Sequence, residues 1–479
     1  MTRPDHVVIV GGGITGLTAA YRFTQAGSAV TVVEPHKLGG KIQTSMFAGR
    51  AVDESADNFL LRVPHALALC HDLDLDGELV SPAARAAEVF LDGERHRLPE
   101  GHLLGVPTDL DALERTGILS PEGLARVAED LERPADPADP AVAGADVAIG
   151  PYLRRRMGDE VVDHLIDPLL GGINAGDTAT LSLAAVVPQL DAAARSGDPS
   201  LIRSCRAQRA AATAPPDAPI FATPLGGMAR LIDGLLGLLP AADLRVGRSV
   251  VGLELTGADA GGAPTGVRVG LDDGTVLDAD AVVVACPAHV AGPLLAQVSP
   301  EAGTTVGALV HTSASMVALA FEPGVLGTTD PGSSGCLIPR DQGTFLSAIS
   351  FASNKWAQLR DPDRDDAILR VSAGRLGDDR HLDLDDHDLV ERMLVDVDRV
   401  VGLSGAPSEV RISRWFDSFP QYEPGHLTRV DAVDAALAPL PVRFAGMGQR
   451  GVGIPACIDS AQRAAASLGA TWPTRRSVS

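Results

Sequence analysis

The sequence predicts an α/β protein in which one parallel-sheet domain is interrupted by two insertions, one of sheet and helix and one mainly helical. Three observations carry that prediction. First, His6–Val10 is a short β-branched run that opens into the glycine-rich residues 11–16. Helical spacing follows over residues 15–25, and Ala29–Glu34 is a second apolar run, which together make a βαβ unit. Second, strand signals of the same kind recur in the middle of the chain and near its end. Third, two stretches rich in Pro, Asp and Ala, residues 133–151 and 209–219, lie between them and read as linkers.

Composition bounds the rest. A chain of 479 residues has length for about three domains. Its 45% apolar content supports a sizeable core and excludes a disordered tail or a disulfide-stapled miniprotein. Lys+Arg of 40 against Asp+Glu of 62 leaves −22, which argues against a generic nucleic-acid or anionic-membrane binder. Lysine occurs only at Lys37, Lys41 and Lys355, a bias that, with abundant Ala, Gly, Asp and Val, looks like GC-rich coding. Aromatics at 4% mean that a large pocket must be lined mostly by aliphatic side chains. Cys70, Cys205, Cys286, Cys336 and Cys457 are odd in number and form no CxxC pair, pointing to a reducing compartment rather than a disulfide framework or zinc ribbon. No apolar signal core precedes the first strand, and no stretch approaches the roughly 18 apolar residues of a membrane helix. The expectation is a soluble cytoplasmic protein, with peripheral membrane contact left open.

The remaining elements follow in order. A helix is expected to end at Gly77. Helical periodicity spans residues 152–194 between the two linkers. A strand pair occupies 249–255 and Gly266–Leu271, a DDG turn comes next at 272–274, and residues 280–286 read as a buried parallel strand. Residues 300–420 hold β-rich runs at 316–321, 343–351 and 368–373, with a helix near Asp386–Val401. A strand at 442–447 and an alanine-rich helix at 455–468 close the chain.

The chemistry starts at Gly11-x-Gly13-x-x-Gly16, which sits between a strand and a helix as a Rossmann-like dinucleotide fingerprint must. The first glycine permits the turn, the second admits a pyrophosphate to the backbone, and the third packs helix on strand. Glu34 ends the second strand about 20 residues on, where a carboxylate takes ribose hydroxyls and would repel a 2′-phosphate, so NADP is disfavoured. A second glycine pair, Gly39-Gly40, followed by Lys41, recurs in flavoproteins whose chain continues along FAD. Gly446 to Pro455 runs from strand end through a glycine-dense loop into a helix with Pro in its first turn. Such an N-terminus suits the flavin edge where negative charge develops on reduction.

These residues resemble one family closely: the flavin-dependent protoporphyrinogen/coproporphyrinogen III oxidases of haem biosynthesis, within the amine-oxidase-like flavoproteins. VVIVGGGITGLTAAYRF, LGGKIQT, VDESADNFL, DPLLGGINAGDTATLSL, TPLGGMARLIDGL, DAVVVACPAHVAGPLL, ISFASNKW, SRWFDSFPQYEPGH and GMGQRGVGIPACIDSAQRAA carry the likeness from residue 6 to about 470. PQYxxGH and GVGIPxCIxS are the most specific, since generic FAD binding requires neither. The resemblance implies an FAD-binding domain from residues 1–80, 220–300 and 420–479, a substrate domain from 81–110 and 301–419, and a mainly helical insert at 111–219. It implies that Gly11, Gly12, Gly13, Ile14, Thr15 and Gly16 hold the pyrophosphate and that Glu34 holds the ribose. Gly40 and Lys41 would lie along the FAD, and Val250 would bind adenine through its backbone. Ala56, Asp57 and Asn58 would lie near the flavin, and Trp415, Gly446, Val452, Gly453 and Ile454 would surround it. In one respect the chain departs from the family: Ser55-Ala56 stands where Gly-Pro is usual.

The implied reaction removes six hydrogens from a porphyrinogen, with dioxygen reoxidising the flavin and hydrogen peroxide released. The cofactor carries the hard step, which agrees with the lack of a triad or acid–base pair in the sequence. The substrate is coproporphyrinogen III or protoporphyrinogen IX; the soluble, GC-rich character resembles the actinobacterial Gram-positive type, which favours the first. Transfer of product to a haem-pathway chelatase is a further implied contact. A related amine oxidase or desaturase and a silent FAD-binding partner remain as alternatives. Carboxylate-bearing substrates call for Arg or other donors, and Arg62, Arg340 and His426 are the candidates. No metal site is expected. Asp72-Leu-Asp74-Leu-Asp76-Gly77 begins like a calcium loop, but Ala83 stands at position twelve, and the histidines show no HExxH spacing. Residues 383–388 read as a solvated loop or helix start, and Cys457 as a small packed residue.

Overall fold

Apolar residues at the first strand place it in the middle of a parallel sheet. In the computed structural model, which describes residues 3–212, 218–327, 329–361, 363–364 and 366–472, that sheet has five strands. Their order is Asp243–Val246, Ala29–Glu34, His6–Val10, Ala281–Val284 and Val442–Phe444, and every neighbouring pair is parallel. Val7, Val8, Ile9 and Val282–Val284 are fully buried because both faces are covered. Helices Ile14–Ala26 and Ile454–Ser467 pack on one face. A three-stranded antiparallel sheet (Val250–Thr256, Gly266–Leu271, Val276–Ala279) and three helices pack against the other. The edge strand Asp243–Val246 is not among the expected elements, although its DLRV alternates polar and apolar residues. Two of the covering helices, Ala288–Ala296 and Pro300–Gly307, touch backbone to backbone: a Cβ on Gly303 would lie 2.3 Å from the Ala296 nitrogen.

A second sheet of seven strands runs Glu409–Pro420, His311–Phe321, Ala367–Ala373, Ala348–Phe351, Ser333–Leu337, Ala86–Leu91 and Glu94–Arg97. Helix Asp386–Val401 covers one face through Leu389, Met393, Val397 and Val400. The Asp385 carboxylate caps its first turn by accepting from the Asp388 N–H at 2.9 Å, so the acidic run is a helix start. The strand expected over 343–351 forms only at Ala348–Phe351. Before it, the Asp396 carboxylate accepts the N–H groups of Phe345 and Leu346, which holds the backbone out of the ladder. The helix expected to reach Gly77 ends at Asp72, because Asp74 adopts φ +57° and turns the chain.

Short helices form the insert, among them Ile149–Met157, Asp167–Asn174 and Leu201–Ala210, around a core containing Tyr152, Leu153 and Leu165. Arg156, 4% exposed, pairs with Asp130 at 3.1 Å and Asp139 at 3.2 Å. Asp130 also accepts from Ser200 Oγ and the Ile202 N–H. The stretch read as a linker over 133–151 is therefore anchored at Asp139. Of the second linker, residues 213–217 lie outside the described residues. Among the described residues no helix is long and apolar enough to cross a membrane.

Removing the cation from the insert's ionic cluster leaves two buried carboxylates without compensation. Arg156→Leu is expected to cost about 3–5 kcal/mol, read as a lowered Tm; an unchanged Tm would show that the cluster contributes nothing.

Candidate functional site

The glycine loop is dictated by close approach. Gly11 takes φ +108°, and a Cβ on it would meet Ala285 O at 2.9 Å. A Cβ on Gly16 would lie 1.9 Å from Gly11 O, so helix Ile14–Ala26 starts against the loop only with glycine there. Its N-cap, Gly13, offers no side-chain cap, and a Cβ on Gly13 would touch nothing within 4 Å. The first-turn N–H groups beyond it, at Ile14, Thr15 and Gly16, thus face an open hollow with the positive end of the helix. Glycines 39 and 40 fold directly onto this loop: Gly39 N–H donates to Gly12 O at 2.8 Å, and the Cβ position of Gly40 lies 3.3 Å from the Gly13 Cα.

Glu34 is buried at the end of its strand. Its Oε2 accepts the Gly12 N–H at 2.8 Å and its Oε1 the His36 N–H at 2.9 Å, which orients the carboxylate and leaves further lone pairs for hydroxyl donors. Gly247 N–H donates to the Glu34 carbonyl at 2.8 Å, and this brings the segment leading to Val250 alongside.

A second helix start converges on the same place. Helix Ile454–Ser467 has Gly453 as an N-cap without a side-chain cap and Pro455 in its first turn. Cys457 in that turn is hydrogen-bonded to Thr15, and burial pushes its thiol pKa up. The Cβ position of Gly446 lies 3.4 Å from Thr15 Oγ1. Lys41 reaches the same corner, donating to the Ser418 carbonyl; burial lowers its pKa to about 8. Two uncapped helix N-termini and a half-buried lysine therefore meet at one glycine loop beside one oriented carboxylate. That arrangement suits a phosphate-bearing group.

The known proteins agree with the geometry. The model of the flavin containing amine oxidoreductases matches residues 14–468. The chain belongs to that family. It is 34% identical over 472 residues to the coproporphyrinogen III oxidase of Mycobacterium tuberculosis strain H37Rv, covering 97% of each chain. It is 33% identical over 470 residues to that of Bacillus subtilis strain 168, covering 96% and 97%. A solved structure from Exiguobacterium sp. 255-15, named as a candidate protoporphyrinogen oxidase, superposes with a TM-score of 0.84 at 29% identity, covering 98% and 99%.

As a flavin containing amine oxidoreductase the chain is an oxidoreductase with a flavin cofactor, and the uncapped helix starts, Lys41 and Glu34 fit such a group. The segment after Asp53 is a strap between the flavin domain and the seven-stranded sheet. Asp53 accepts from Thr44 and the Met228 N–H. The Glu54 carbonyl accepts from Trp415 Nε1 at 3.2 Å, and the Ser55 carbonyl accepts from Arg370. Asp57 takes Lys355 at 2.9 and 3.0 Å, Trp356 Nε1 at 3.1 Å and Arg370 at 3.2 Å. Burial pushes the Asp57 carboxyl up, but Lys355 and Arg370 outweigh it and hold it well below the usual range. The Asp57 carboxylate is thus held by Lys355, Trp356 and Arg370. Asn58 likewise donates to Asp57, while Ala56 is exposed.

The three candidates for substrate carboxylates are not brought together. Arg62 is exposed and makes no hydrogen bond or ion pair among the described residues. Arg340 is committed: Nε to Asp167 at 3.1 Å, Nη1 to the Leu376 carbonyl at 3.1 Å and Nη2 to the Gly176 carbonyl. It ties the insert to the sheet. His426 is 2% exposed, stacks on Tyr422 at 3.9 Å, and gives its Nε2–H to the Gln449 carbonyl. Burial lowers its pKa to about 4, so it is neutral and bracing the loop. Sequence reasoning missed Tyr422, whose hydroxyl donates to the Met447 carbonyl and accepts the Gly451 N–H, fixing the loop before the C-terminal helix. The signal was PQYEPGH itself. It also missed Lys355 and Arg370 as partners of Asp57, since nothing local links them. Among the described residues no group of three metal-ligating side chains comes together.

Two expectations follow. Lys41→Met removes the ammonium between the two helix starts and should weaken flavin retention about tenfold, a loss of ~1.4 kcal/mol; flavin fluorescence on dilution checks it, and wild-type retention would contradict it. The Asp53 pKa, raised to about 6 mainly by burial, predicts a pH effect. The folded state holds this proton more tightly than the unfolded chain, so the stability it contributes is full below about pH 4 and lost as pH rises through about 6. Asp53→Asn should gain on the order of 3 kcal/mol relative to wild type between those limits. Parallel Tm–pH curves for the two proteins would contradict this.

Proposed function

We propose that the chain is an FAD-dependent coproporphyrinogen III oxidase, converting coproporphyrinogen III and three dioxygen to coproporphyrin III and three hydrogen peroxide. The observation that carries the substrate is 34% identity across 97% of the chain to a relative of that name. FAD, rather than a mononucleotide, is supported by Glu34, whose oriented carboxylate keeps lone pairs for ribose hydroxyls, with the segment leading to Val250 alongside. Bound FAD would supply the hydride acceptor and pass electron pairs to dioxygen.

The residues of the chain then bind and orient. Backbone N–H groups of 11–16 and the helix behind them take the pyrophosphate, with Gly40 packed close and Lys41 adding positive charge. Gly446, Val452, Gly453 and Ile454 present the second helix start to the flavin ring, and the positive dipole there favours the charge that reduction places on it. Tyr422 and His426 hold that loop in register. Trp415, fixed to Glu54, joins the flavin side to the sheet. Each of the three two-electron steps takes one hydride and one proton from the porphyrinogen; the proton passes to solvent as the ring becomes conjugated, so no dedicated acid–base pair is required. Five free cysteines, four of them buried, support a reducing cytoplasmic setting, and handing product to a chelatase belongs to the same reading.

Protoporphyrinogen IX is the second reading, favoured by the likeness to the Exiguobacterium structure. Aerobic incubation of the flavin-loaded protein with each porphyrinogen, following porphyrin fluorescence and peroxide, decides. Faster turnover of coproporphyrinogen III is expected; preference for protoporphyrinogen IX moves the substrate, and bound flavin with neither activity overturns the enzyme reading.

A further inference from the structure

A substrate with several carboxylates needs cationic partners, and Arg340 and His426 are committed elsewhere. A hollow of about 300 Å³ lies where the insert meets the seven-stranded sheet, lined by Arg340, Arg375, Gly377, Asp378, Asp379 and Arg380. Its charges are unevenly satisfied. Arg340 pairs with Asp167 at 3.1 Å and Arg380 with Asp378 at 2.7 Å. Asp379 is exposed. Arg375, only 8% exposed, forms no ion pair among the described residues. Its guanidinium makes one long hydrogen bond, from Nη1 to the Ile338 carbonyl at 3.4 Å, which leaves most of its donors unfilled beside the hollow. Burial and the neighbouring Arg340 lower its pKa to about 10, so the protein bears a cost for keeping this cation there.

Topology puts the hollow within reach of the flavin end of the sheet. Arg375 follows strand Ala367–Ala373, which pairs with His311–Phe321 from Ala373 opposite Ser315. That strand pairs in turn with Glu409–Pro420, with Thr312 opposite Phe419. The backbone at Arg375 and the Ser418 carbonyl that holds Lys41 are therefore at one end of the sheet, two strands or about 10 Å apart, with the Arg375 guanidinium extending from there toward the Ile338 carbonyl. The turn after helix Asp167–Asn174 lies along the same edge: the Ala175 carbonyl accepts the Leu376 N–H at 2.9 Å and Thr312 Oγ1 at 3.0 Å.

The geometry points to this hollow as the seat of one substrate carboxylate, bound by Arg375. The inference rests on the porphyrinogen reading and assigns it a specificity residue. A planar guanidinium grips a carboxylate through two parallel N–H···O bonds, and partial burial removes the competing water. Arg340 and Arg380, each paired with its own aspartate, shape the walls beside Arg375.

The test uses the flavin-loaded full chain. Binding of coproporphyrin III and of its tetramethyl ester is followed by fluorescence, alongside steady-state oxidation of coproporphyrinogen III. Arg375→Gln should weaken binding of the free acid at least about tenfold (1.4 kcal/mol) and leave the ester unchanged. It should raise KM for coproporphyrinogen III by a similar factor with kcat within about twofold. Arg375→Lys, which keeps the charge, should recover part of both. Flavin content and Tm equal to wild type show that each variant is folded. Wild-type free-acid affinity and KM in Arg375→Gln overturn the role of Arg375, as does equal weakening of acid and ester. If the wild type oxidises no porphyrinogen, the underlying reading fails and this inference with it.

Discussion

The contact between Gly16 and the Gly11 carbonyl is the constraint on which the site depends. At a Cβ distance of 1.9 Å no other residue lets the first helix begin where it does. From that start come the open N–H groups at Gly13–Gly16 and the seat for Gly39 and Gly40. Thr15 then meets Cys457 and the Cβ position of Gly446, so the C-terminal helix is placed by the N-terminal one. Residues more than four hundred apart in sequence converge because two helices pack side by side on one face of the parallel sheet.

The strap at residues 53–58 makes the two sheets one machine. Four of its residues are held from outside: Asp53 by Met228, Glu54 by Trp415, Ser55 and Asp57 by Arg370, and Asp57 also by Lys355 and Trp356. Paired charges of this kind add little net stability once desolvation is counted, but their geometry is specific. Ser55-Ala56 lies within that strap, where the Ser55 carbonyl accepts from Arg370 and Ala56 is exposed.

Function in this arrangement lies in placement rather than in reactive side chains. Tyr422 and His426 are buried and Lys41 half-buried, and all three are held by backbone carbonyls. A neutral His426 and a lysine of lowered pKa suit a dry, preorganised pocket around a cofactor that does the redox work. The insert closes the other side, fastened to the sheet by Arg340 and by Leu376 on Ala175.

By itself the sequence determined the βαβ unit, the glycine loop with Glu34, the insert, the helix Asp386–Val401 and the family. Each of these is written in local periodicity or in glycine spacing, which short-range sterics enforce whatever the rest of the chain does. Partnership was decided only by the tertiary structure. Whether an arginine or histidine is free depends on what folds against it from elsewhere, which is why Arg340 and His426 turned out committed and Asp57 turned toward the sheet. The edge strand Asp243–Val246 and the broken strand before Ala348 follow the same rule. Their hydrogen-bond partners, Ala29–Glu34 for one and Asp396 for the other, are fixed by three-dimensional packing and leave no mark in the local sequence.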